Sequence, residues 1–163
     1  MVLEKFSLEN RVAIVTGAGR GIGKSIALAF AEAGADVVVT ARTESEIEKT
    51  ANEIIRLGRK SIFVPADVGK SNEVQNVVDQ AISKFGRIDI LVNNAGSGIE
   101  KPTLELSEED WQKVINTDLT GPLLYSKAAG RYMVQRRHGS IINIVSIIAI
   151  RGWPERAAWR WTQ

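Results

Sequence analysis

The stretch from Val12 to Gly23, Val-Ala-Ile-Val-Thr-Gly-Ala-Gly-Arg-Gly-Ile-Gly, restricts this chain to a small number of folds. Val12 to Val15 are apolar and mostly β-branched, the composition of a strand buried on both faces, as the strands of a parallel sheet are. Gly17, Gly19, Gly21 and Gly23 then leave the backbone free of side chains through a turn. Ile22, Ile26 and Phe30 follow at helical spacing and predict the apolar stripe of a helix. A strand running through a glycine turn into a helix N-terminus aims free N–H groups and the positive end of the helix dipole at one place. That arrangement suits a pyrophosphate.

Two kinds of site share this description. The dinucleotide fingerprint G-x-G-x-x-G fails from Gly17, because its sixth position is Ile22; what stands there is Thr16-Gly17-x-x-x-Gly21-x-Gly23. Ala18-x-x-x-x-Gly23-Lys24-Ser25 reads instead as a P-loop whose first glycine is alanine, with Lys24 on phosphate and Ser25 on magnesium, the signature of an NTPase. The stretch alone leaves both open.

The rest of the composition narrows the classes. A chain of 163 residues holds one domain with a real core, here residues 1–163, and is too short for two ordinary ones. It contains no cysteine, which excludes disulfides, thiolate chemistry and cysteine metal sites, and no metal site is expected. The net charge of +2 is small and the basic residues are spread along the chain, so no nucleic-acid partner is expected. The local cluster Arg131, Arg136, Arg137 and His138 reads as cations near a helix C-terminus, stabilised by its dipole. The first ten residues mix acids with apolar residues and are no signal peptide. Ile141 to Ile150 is interrupted by Asn143 and Ser146 and falls short of the ~18 residues of a spanning helix. A cytoplasmic protein without membrane contact is the expectation.

Taken in order, strand and helix alternate throughout. Asp36 to Ala41 predicts a second strand, Thr43-x-x-Glu46 a capping box, and Ile47, Ile54 and Leu57 a helix. Ser61 to Val64 is the third strand, and Val74, Val77, Val78, Ala81, Ile82 and Phe85 line the next helix. Gly34, Gly58 and Gly86 close the first three helices. Ile88 to Val92 is a fourth strand running into Asn93-Asn94-Ala95-Gly96. Ser107-x-x-Asp110 opens one long helix through Trp111, Val114, Ile115, Leu119, Leu123 and Leu124, and Ile141 to Val145 is the fifth strand. The pattern predicts an α/β fold, a doubly wound parallel sheet of Rossmann type, truncated after the fifth strand. Ligands in such sheets bind beyond the carboxyl ends of the strands. At the end of strand two, where a carboxylate would accept from a ribose 2′-hydroxyl, the chain has Arg42, and Arg20 lies inside the glycine turn. Two guanidiniums match a 2′-phosphate, so NADP(H) is favoured over NAD(H).

Together these segments resemble the short-chain dehydrogenase/reductase family, in its N-terminal part, and within it the 3-oxoacyl-ACP reductase-like members. The matching residues are Thr16-Gly-x-x-x-Gly-x-Gly23, Asp67-Val68, Asn93-Asn-Ala-Gly96 and Gly139-Ser-Ile-Ile-Asn-Ile-Val-Ser146. Four motifs in the family's order displace the P-loop reading. The resemblance implies a cofactor site made by Thr16, Gly17, Gly19, Arg20, Gly21, Ile22, Gly23, Arg42, Asp67, Val68, Asn93, Ala95 and Gly96. It implies that Ser146 hydrogen-bonds a substrate carbonyl, and it places Asp118 where the family's catalytic asparagine stands. It implies hydride transfer between the nicotinamide and a small ketone or secondary alcohol, in a homo-oligomer.

The match then breaks at the chemistry. The family carries Tyr-x-x-x-Lys a little over a dozen residues after the serine, the tyrosine as general acid and base. Here Trp159 and Gln163 hold those positions. Indole exchanges no proton near neutral pH and glutamine carries no charge, so little or no activity is expected of this chain. A nucleotide-binding remnant that oligomerises or contacts a partner is the alternative. The family's domains also continue further, and a truncated or frameshifted reading of a longer gene is the expectation for the ending at Gln163. Without the following helix, one face of strands four and five is expected to lie uncovered.

Overall fold

Val12–Thr16 forms β1, and every residue in it is buried. The computed structural model describes residues 6–147 together with 151, 155 and 158. After β1 come α1 (Gly21–Glu32), β2 (Asp36–Ala41), α2 (Glu44–Arg56), β3 (Ser61–Pro65), α3 (Ser71–Phe85) and β4 (Ile90–Asn93). They are followed by α4 (Glu108–Ile115), α5 (Gly121–Gln135) and β5 (Ser140–Asn143). The five strands form one sheet in the order β3-β2-β1-β4-β5, and every pairing is parallel. Strand order reverses beside β1, which puts the switch point at the glycine turn.

Strand alternation sorts the core into two layers. Ile14, Val38, Val64 and Leu91 point to one face and pack against Val74, Val77, Val78 and Ala81 of α3 and Tyr125, Ala129 and Met133 of α5. Ala13, Val15, Val37, Val39, Ile90 and Val92 point to the other, against α1 and α2. This is the expected doubly wound fold. Pro65, awkward inside a buried strand, sits at the end of β3, an edge strand where its missing N–H breaks no ladder.

Three elements differ from the sequence reading. In α1 the fully buried series is Gly23, Ala27 and Ala31; of the predicted stripe, Ile26 and Phe30 are half-buried against the same core layer and Ile22 is exposed. Small residues let the helix lie close on β1, and a Cβ at Gly23 would collide with the Gly17 carbonyl oxygen and Asn94 Nδ2. The single long helix is broken. Asn116–Thr120 forms a π turn between α4 and α5 that buries Asp118 and turns Leu119 outward. Pro122 has no N–H to give to the Asp118 carbonyl four residues earlier, so the α ladder opens at that point. Finally, Thr43 makes no side-chain capping bond at the start of α2, whereas Ser107 does accept from the Asp110 N–H at 3.0 Å.

The uncovered region is narrower than expected, confined to β5. β4 is buried throughout, while all four residues of β5 are exposed. The basic residues at the end of α5 serve a distant partner as well as the helix end. Asp89, 1% exposed, is held by Arg87 in a bidentate pair (2.6 and 2.7 Å), by the Val12 N–H at 2.9 Å, and more loosely by Arg136 (3.5 Å) and Arg11 (3.7 Å). His138 accepts from Arg11 at 2.8 Å. Burial alone would raise the Asp89 carboxyl, but these donors outweigh it and hold the group below the usual carboxylate range.

Candidate functional site

β1 ends in Thr16, and Thr16 fastens the glycine turn to β4. Its hydroxyl accepts from the N–H groups of Asn94 and Ala95, each at 3.0 Å, and donates to the Val92 carbonyl at 3.3 Å. Asn94 returns the contact through Nδ2, to the Thr16 carbonyl at 2.9 Å and the Gly17 carbonyl at 3.4 Å. Gly17 has φ +65° and Gly21 φ +55°, the left-handed region in which a side chain is strained. A Cβ at Gly21 would meet nothing within 4 Å. The N-terminus of α1 therefore opens onto free space at Gly21, the room that a pyrophosphate at a helix N-terminus requires.

That space is a cleft of about 370 Å³. Gly17, Gly19, Arg20, Gly21, Ile22 and Gly23 line it from the turn, Arg42 from the end of β2, Asp67 and Val68 from the end of β3, and Ala95 and Gly96 from the end of β4. Of the residues expected at the cofactor, Thr16 is buried and lines neither this cleft nor the next, because its hydroxyl is spent on β4. Arg20 and Arg42 are both exposed and make no ion pair with a described residue. Asp67 is tied at both ends: its N–H donates to Glu73 at 2.7 Å and its Oδ1 accepts from the Gly69 N–H at 3.0 Å. The first of these bonds, with Lys70, holds the Glu73 carboxyl below its ordinary value.

A second cleft, of about 570 Å³, shares Ile22, Asn94, Ala95 and Gly96 with the first. Asn93, Asp118, Asn143 and Ser146 line it. The structure thus brings Ser146 and Asp118 to one cavity from 28 residues apart in sequence, the segment after β5 supplying one and the π turn the other. Asp118 Oδ1 accepts from the Ser97 N–H at 2.8 Å and so holds the loop after β4. Asn93 spans to β5 through Asn143 Oδ1 (2.8 Å) and to Ser126 Oγ (3.3 Å), while its own Oδ1 is buried without a partner among the described residues. Trp159 and Gln163 lie outside the described residues. Tyr125 is wholly buried against the core and lines neither cleft, and burial pushes its hydroxyl far up.

The P-loop reading loses its geometry. Lys24 Nζ reaches away to Glu53 Oε1 at 2.8 Å on α2, and Ser25 Oγ donates to the Gly21 carbonyl within the first turns of α1. Neither lines a cleft. Among the described residues no cluster of His, Cys, Asp or Glu could hold a metal ion, and no helix is long and apolar enough to cross a membrane.

Sequence reasoning missed two residues here. Asn143, the β5 partner of Asn93, sits inside an apolar strand, and the interruption was itself the signal. Glu46 was assigned to a cap, but it lines the glycine cleft from the first turn of α2.

A protein-family model described as short chain dehydrogenase matches residues 11–160. A 3-oxoacyl-[acyl-carrier-protein] reductase of Synechocystis sp. is 43% identical over 152 residues, which are 93% of this chain and 62% of that protein. The chain therefore spans less than two thirds of that relative's length. Among solved structures, a metagenomic short-chain oxidoreductase in complex with NADP superposes with a TM-score of 0.91 at 33% identity, covering 95% of this chain and 71% of the other. An NAD+-bound xylitol dehydrogenase superposes equally, with a TM-score of 0.91 at 31% identity over 95% of this chain and 60% of the other. The switch-point cleft, the Thr16–Asn94 clasp behind it and these matches lead to one assignment: the chain belongs to the short-chain dehydrogenase/reductase family of NAD(P)-dependent oxidoreductases.

Proposed function

We propose that this chain is the nucleotide-holding part of an NADP-dependent oxidoreductase that moves hydride between the nicotinamide and a ketone or secondary alcohol. The observation that carries the reading is the pair Arg20 and Arg42, which line the glycine cleft with no ion-pair partner among the described residues. Guanidiniums form charge-assisted, bidentate hydrogen bonds to phosphate, and a 2′-phosphate is the group that separates NADP(H) from NAD(H). The open N-terminus of α1 would hold the pyrophosphate, and Asp67 and Val68 would border the adenine.

When bound, the reduced cofactor supplies the hydride to the carbonyl carbon, and the carbonyl oxygen must gain a proton. In the second cleft the Ser146 hydroxyl would donate a hydrogen bond to that oxygen and orient it. Asp118, acceptor-only when ionised, is engaged by the Ser97 N–H and would hold the loop in place instead of passing a proton. With Trp159 and Gln163 at the positions of the family's tyrosine and lysine, no matched general acid serves this step. Loss of one typically costs ~10²–10⁴ in rate. The chain is thus read as binding cofactor and turning over little. The protein is further read as a cytoplasmic homo-oligomer acting on a small molecule. Leu119 and Leu123, one helical turn apart and 53% and 64% exposed, support a second copy as their cover.

Titration of the chain with NADPH, followed by its oxidation with a panel of ketones, tests this. Micromolar binding with negligible oxidation is expected. Rapid ketone reduction by this chain sinks the claim of an absent acid, and absence of binding sinks the nucleotide reading.

A further inference from the structure

Glu46 is a carboxylate that lines the glycine cleft together with its two cations. α2 starts three residues after β2 ends, so its first turn lies over the mouth of the glycine turn, and Glu46 lines the same cleft as Arg20 and Arg42. The approach is close. A Cβ built at Gly19 would come within 2.8 Å of Glu46 Cβ and 2.9 Å of its Oε2, so Gly19 leaves the room that this side chain fills. Nothing else occupies the carboxylate. The Glu46 N–H bonds the Thr43 carbonyl at 3.2 Å, the expected capping box does not form, and the carboxylate has no hydrogen bond or ion pair to a described residue.

The adenine-ribose end of the cleft therefore presents opposite chemistries. A 2′-phosphate, carrying about −1.5 to −2 at pH 7, would gain from Arg20 and Arg42 and would meet Glu46 as a like charge. A ribose 2′-hydroxyl in the same place would find in Glu46 an acceptor, the role that a carboxylate plays for NAD in this class of fold. We propose that Glu46 moderates the cofactor preference that Arg20 and Arg42 tilt towards NADP(H): it accepts from the 2′-hydroxyl of NAD(H) and opposes the 2′-phosphate of NADP(H). The cleft consequently takes both dinucleotides, with a modest bias to the phosphorylated one. This inference rests on Arg20 and Arg42 being the 2′-phosphate ligands.

The test is direct binding of NADPH and of NADH to the 163-residue chain, read by nicotinamide fluorescence, for the unaltered protein, Glu46→Gln and Arg42→Ala. Glutamine keeps the shape and removes the charge. For Glu46→Gln the NADPH Kd is expected to fall about fivefold and the NADH Kd to rise about two- to threefold, the NADPH gain shrinking in 0.5 M salt as charge repulsion is screened. An NADPH-to-NADH affinity ratio unchanged by Glu46→Gln overturns the role of Glu46. Arg42→Ala reports separately on the underlying reading: it should weaken NADPH about tenfold and leave NADH within twofold. Equal weakening of both overturns the assignment of Arg42 to the 2′-phosphate, and with it this inference.

Discussion

β3 and β5 are the two edges of one sheet, of similar length and similarly apolar, and they have opposite fates. β3 is covered by α2 and α3: Ile62 packs on one core layer, Phe63 on the other, and Val64 is 2% exposed. β5 is open on both faces, with Ile141 at 41% and Ile142 at 39% exposure although they pair with the buried Leu91 and Val92. Pairing places a strand in register, and burial comes only from the layers above and below it. The glycine cleft sits on the covered side and is built from backbone and short side chains. The cleft of Ser146 leans on β5 and on a π turn, both less supported. The two clefts thus rest on halves of the sheet that are unequally covered.

The seam between the halves is the first place to break that comparison. Gly23→Ala drives a Cβ into the Gly17 carbonyl and the Asn94 amide, where backbone has no slack, and it should destabilise the chain by about 4 kcal/mol and abolish dinucleotide binding. Thermal unfolding and a cofactor titration check this; retention of both refutes the clasp. Asp89→Asn comes next. Asp89 joins β1 to β4 through Val12 and receives the Ser140 N–H on its carbonyl, so it fastens the open half to the covered one. Neutralising it leaves Arg11, Arg87 and Arg136 without their carboxylate, at a cost of about 3 kcal/mol. Because its folded pKa is depressed, the stability it contributes is complete above the unfolded carboxylate range of about 4 and is lost as pH falls through the lower folded value. Denaturation curves between pH 7 and 3 should fall less steeply with acid for Asp89→Asn than for the parent chain.

The order of elements, the parallel sheet and the placement of the glycine turn were legible because each rests on local pattern: β-branched runs, glycine punctuation, helical spacing. What was not legible depended on distance or on smallness. Gly23, Ala27 and Ala31 have too little hydrophobic signal to outrank Ile22 and Ile26, yet close approach to β1 favours them. The π turn had a visible cause in Pro122, which a reading by apolar spacing passes over. Arg136 and His138 read as helix-end cations because their partners Asp89 and Arg11 lie 47 and 127 residues away in sequence. Of the site, the glycines, Arg20 and Arg42 could be named from sequence. Glu46 could not, since its place depends on how the first turn of α2 folds back onto Gly19.

The smallest effect sharpens the comparison most. Val64→Ala removes two methyl groups from a sealed position and should cost about 2 kcal/mol, the transfer free energy of the lost carbons plus a cavity. Ile142→Ala removes more carbon from a strand already wet on both faces, and should cost under about 1 kcal/mol, most of it strand preference. Urea midpoints for the two variants, at low and high protein concentration, measure the difference. Equal costs at high concentration with unequal costs at low would mean that another copy covers β5, so that the edge left open in one chain is closed by association. Equal costs at every concentration would mean that β5 is buried within the single chain, and the inequality between the two halves of the sheet would fall.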